Sequence, residues 1–172
     1  MTRKRALIAS AAATLAIGAV LLVLDMRMLD AGGPGIVGFE FAGSQDRAAE
    51  ILADWGNDGI DAAKASLWID YAYILAYGAF LILAVWATRD LAEARGWRRM
   101  AAFGPPVMFF AAAGAVFDAI EDVGLLLAVD RHGGDLAPRL AQVCASLKFG
   151  LLAVTIVYLL VGLLLRFRTR SA

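Results

Sequence analysis

The sequence holds one cysteine, one histidine and four prolines, and each scarcity removes a class of chemistry. A lone Cys144 excludes an internal disulfide framework and a cysteine-built zinc site. A lone His132, in the stretch DRHGGD, leaves no HExxH and no second imidazole for zinc, haem or a di-iron centre. Neither CxxC nor a Ser/His/Asp arrangement is present. GGPGIVG falls in a long connection rather than between a strand and a helix, so it is not a dinucleotide fingerprint. The formal net charge is zero, which supplies no basic stripe for a polyanion. Neither metal, cofactor nor nucleic acid is expected.

Charge itself is sparse. Only 19% of residues are charged and 61% are hydrophobic, with a mean hydropathy of +0.70. An ordinary soluble domain is roughly 45–50% apolar and about 25% charged. Four apolar runs carry the excess, at about 6–24, 65–87, 105–129 and 140–165. Each approaches or exceeds the ~20 residues that cross ~30 Å of hydrocarbon as a helix. Strand-like alternation does not compete over these lengths. The expectation is an all-α integral membrane four-helix bundle, a single domain over residues 1–172. Pro105 and Pro106 are expected to open the third run at its first turn, where a missing N–H costs nothing.

Lysine and arginine set the orientation. The N-terminus, the second connection and the C-terminal tail hold 10 of them, including Arg3, Arg98 and Arg170; the first and third connections hold 5. The positive-inside rule therefore places both termini in the cytoplasm. The alanine-, glycine- and arginine-rich usage suggests a bacterial inner membrane. The first run, at about 19 residues, exceeds a signal-peptide core, and its nearest small-x-small site lies beyond Asp25, Arg27 and Asp30. An uncleaved first span is expected.

The first connection, 25–64, is too long for a turn. AGGPG breaks any helix continuing from the first span. IVGFEFA, with Phe39 and Phe41 flanking Glu40, reads as a short extended or interface-lying piece. Ser44 then caps an amphipathic helix over about 44–55, with Ala48, Ile51, Leu52 and Trp55 on one face and Gly56 as its stop. This helix is an outer lid, lying on the membrane or capping the bundle, with Trp55 at headgroup level.

The expensive charges are the informative ones. Asp70 lies in the second run, Asp118, Glu121 and Asp122 in the third, and Lys148 in the fourth. At 1.5 Å per residue, roughly 7 Å of depth for Asp70 and roughly 13 Å for Lys148 place all five in the outer half of the bilayer. Asp118, Glu121 and Asp122 share a face with Gly114 and Leu125. Asp70 shares one with Ser66, Tyr73 and Tyr77, and Lys148 one with Cys144 and Thr155. A charge at the centre of a membrane helix costs roughly 2.5–3.5 kcal/mol on insertion scales, so these groups face inward and each other. Lys148 is expected to pair with Asp118 or Glu121, and the tyrosine hydroxyls to complete the hydrogen bonding of Asp70. Four acids against one lysine do not balance, and crowded carboxylates in a dry site cannot all stay ionised.

Three functional readings remain open. The leading one is a binding or transport protein taking a cation, a protonated amine or a proton at this cluster. In it Asp118 and Glu121 are acceptors, Lys148 the internal counter-ion, and Asp70, Tyr73 and Tyr77 the second wall. A structural or accessory subunit, whose charges only pin helices, is the alternative. A membrane-embedded acid–base enzyme is the third. Beyond the lipid bilayer, the candidate partners are a small cation or amine, and a second copy or a partner membrane protein. Small residues at 111–114, Gly150 and Ala153 permit close helix approach.

Overall fold

The computed structural model describes residues 2–168; Met1 and residues 169–172, with Arg170 of the basic tail, lie outside them. The described chain forms five helices: α1 (Arg3–Asp30), α2 (Ile36–Glu40), α3 (Gln45–Ala94), α4 (Arg98–Val129) and α5 (Leu136–Arg168). Four of them, all but α2, are long and apolar enough to cross a membrane. No strand occurs among the described residues.

Local chemistry explains the breaks. Gly32, at φ +104, lies just beyond the C-cap of α1, and the Asp25 carboxylate accepts the backbone N–H of Ile36 at 2.6 Å, fixing the start of α2. The Ile36–Glu40 segment is therefore a helical turn rather than an extended piece, because Asp25 supplies the partner that an isolated first turn lacks. Ser44 caps α3, its side chain accepting from the Arg47 N–H. Gly56 adopts φ 56 and ψ −164 inside α3, a conformation only glycine holds cheaply, and bends the lid segment away from the long apolar segment that follows. Gly96, at φ +73, turns the chain into α4.

Pro105 and Pro106 sit inside α4, not in its first turn, because the helix already begins at Arg98. Each proline removes one backbone bond. That loss is tolerable two turns from a helix end, where few backbone bonds precede it.

α1 packs along α3, α3 on α4, and α4 on α5, with α5 also touching α3. The arrangement is a row rather than a closed square: α1 makes no comparable contact with α4 or α5, whereas the small α2 touches α3, α4 and α5. The lid caps one end through a core of Met28, Phe39, Ile51, Leu52, Trp55, Leu67 and Leu125. Trp55 is buried in that core, its ring 5.0 Å from Phe39 and its Nε1 donating to Pro34 O, so it is not an interfacial anchor. At the other end Val85, Val107 and Tyr158 form a second apolar core.

Close approach of α4 and α5 comes from Gly124, where an added Cβ would lie 3.0 Å from the Ala137 carbonyl. Gly114 meets Leu152 in the same seam. Gly150 and Ala153 do not contribute and lie on the outer face of α5. The inward face of α5 is set by Cys144, Lys148 and Thr155, and positions 150 and 153 fall well around the helix from it.

Candidate functional site

Between the two apolar cores lies a polar one. Asp118, Glu121 and Asp122 are all buried on the inner face of α4, the i, i+3, i+4 relation that their spacing implies. Lys148 enters from α5 and donates to Asp118 Oδ1 at 2.7 Å and to Glu121 Oε1 at 2.8 Å. Both expected pairings form at once. From α3, the Tyr77 hydroxyl donates to Asp118 Oδ2 at 2.7 Å. Tyr77 thus serves Asp118 rather than Asp70, since it sits seven residues further along α3, about 10 Å along the axis.

Glu40 is the member that reading the sequence missed. It is the last residue of α2, 6% exposed, with Oε1 3.5 Å from Lys148 Nζ. Its signal was present: a single acid inside the apolar IVGFEFA stretch is as costly to bury as Asp70 in its own run. Burial pushes the Glu40 carboxyl above its ordinary value, while the Lys148 ammonium opposes that shift. Asp70, half-buried on α3, lines the same cavity as Glu40 and Asp122. Tyr73 is half-buried, its ring 5.3 Å from that of Tyr77 and close to Gly18 of α1.

Two halves result. In one, Asp118 has both oxygens satisfied, by Lys148 and Tyr77, and ties α3, α4 and α5 together. In the other, Glu40 Oε2, Glu121 Oε2 and Asp122 Oδ2 are buried and accept from no donor. A cavity of about 310 Å³ borders both halves, lined by Glu40, Asp70, Asp118, Asp122 and Lys148 and, from α1, by Gly18, Leu22 and Asp25. Among the described residues no three His, Cys, Asp or Glu side chains are placed to hold a metal ion. Cys144 is buried and free, and His132 is exposed in the α4–α5 turn, outside the site. No protein family, curated protein or solved structure matches the chain.

Proposed function

We propose that the chain is a multi-pass membrane protein, with both termini cytoplasmic, whose buried acidic cluster binds or conducts protons and protonated amines. The supporting observation is the set of three buried carboxylate oxygens without a donor, beside a lysine already shared among three carboxylates. A buried acceptor left without a donor costs about 1–3 kcal/mol, and more when it is charged. Protons or an added cation relieve that cost. A resident metal is the weaker candidate, because the donors do not converge in a set of three. Asp122, Asp70 and Glu40 are the acceptors in this reading. Glu121 bridges them to Lys148.

A structural role is favoured for the other half by its complete hydrogen bonding: Tyr77, Asp118 and Lys148 hold three helices in register. Infrared titration of the protein in lipid nanodiscs separates the two readings. Five carboxyls around one ammonium predict a carboxylic-acid C=O band at neutral pH, weaker in Asp122→Asn and diminished by butylamine. A wild-type spectrum of carboxylates only, with no response to butylamine, overturns the proposal.

A further inference from the structure

We infer that the cavity is open sideways, between α1 and α5, and that it takes an amphiphile with a protonated primary amine head from within the bilayer. The inference rests on the membrane reading above and names the ligand class of that same site. Its first basis is the packing. α1 leans on α3 alone among the long helices, leaving a gap toward α4 and α5, and the cavity is lined from both sides of that gap. Gly18 and Leu22 fall within the uncharged run of α1, so this opening lies at the depth of hydrocarbon rather than water.

Its second basis is the roof. A small hydrophilic amine arriving from outside meets α2, pinned by the Asp25 cap, by Trp55 Nε1 on the Pro34 carbonyl and by the burial of Phe39. Glu40 reaches from that roof to Lys148. The direct outer route is therefore covered, while the rim toward the gap is apolar and bare: Leu22 is 59% and Val37 52% exposed.

The third basis is the chemistry of the walls. Asp122 is 3% exposed, lines the cavity, and its Oδ2 has no donor; Glu40 Oε2 is in the same state. A primary ammonium offers three N–H donors and one charge, which suits the Asp122 and Glu40 carboxyls together. The opposite wall is apolar along Gly18, Leu21 and Leu22, and ends at Asp25, whose Oδ1 already accepts the Ile36 N–H. A head that donates and a chain that lies against α1 satisfy both walls. A quaternary ammonium satisfies only the charge, because it has no N–H to give.

Photolabelling tests this with the full chain in phosphatidylcholine vesicles. The probes are dodecylamine and dodecanol, each carrying a diazirine in mid-chain. Dodecylamine is expected to label Leu21, Leu22 and Val37 saturably, about tenfold above dodecanol at equal membrane content, as loss of a charged hydrogen bond implies. Asp122→Asn should remove that excess. Leu22→Trp, at an exposed rim position that tolerates bulk, should block labelling of Leu21 and Val37. Equal labelling by amine and alcohol overturns the inference. So does protection of the site by butylamine as effective as by dodecylamine at equal aqueous concentration. In either case the infrared response to protons and butylamine still decides the functional proposal separately.

Discussion

Replacing Lys148 by methionine removes the one cation from the cluster with little change in volume. Two acceptors, Asp118 Oδ1 and Glu121 Oε1, then lose donors at 2.7 and 2.8 Å, and Glu40 loses its counter-charge at 3.5 Å. Breaking one partner out of a buried ion pair costs about 3–5 kcal/mol. Lys148→Met should therefore destabilise by about that amount in reversible unfolding of the protein in mixed micelles. Asp118→Asn keeps an acceptor for the Tyr77 hydroxyl and leaves Lys148 with Glu121, so it should cost about 1–3 kcal/mol. The double variant should cost less than the sum of the two, since its second change removes a charge that the first had stranded. The coupling should reach about 1.5 kcal/mol or more. It should also shrink as pH falls, because protons replace the lost ammonium. Additivity within about 0.5 kcal/mol, at all pH values, would refute the reasoning.

Glu40→Gln mimics the protonated carboxyl. A group whose value is raised on folding favours the folded state while protonated, below its unfolded value, and that contribution is lost as pH rises through its folded value. The variant should therefore gain on the wild type as pH rises, seen as a growing difference in Tm; a gap that narrows with rising pH would contradict the raised carboxyl. Gly56→Ala meets nothing within 4 Å, so its cost is backbone strain alone, about 1–3 kcal/mol. A neutral substitution would show that the bend at Gly56 is not held in solution. For topology, Arg98→Cys and His132→Cys in a Cys144→Ala background place thiols at exposed positions in opposite connections. An impermeant maleimide should label position 132 in intact cells and position 98 only after permeabilisation.

Much of this was readable from the residues because long apolar helices impose strong patterns. The four long helices followed from apolar runs of about 20 residues or more, and the inward faces of α4 and α5 from the spacing of Asp118, Glu121, Asp122 and Lys148. What escaped depended on contacts between distant segments. The turn at 36–40 is helical because Asp25, 11 residues away, caps it, and no local signal carries that. Glu40 joins the cluster because α2 folds back over Lys148. Trp55 looked like an interfacial anchor on its own helix and became core once Phe39 and Pro34 closed on it. The division of the acids into a satisfied half and an unsatisfied half is likewise invisible in spacing, since Asp118 and Asp122 lie one turn apart on one face.

Calorimetric titration of the nanodisc-embedded protein with butylamine, in two buffers of different ionisation heat, addresses that division most directly. A site in which a cation replaces protons on unsatisfied carboxyls binds saturably and releases protons. Asp122→Asn should weaken binding about tenfold or more, while Arg131→Gln, in the exposed α4–α5 turn, should leave it unchanged. No saturable heat and no proton release in the wild type would contradict the claim that these buried carboxylates exchange protons for an amine.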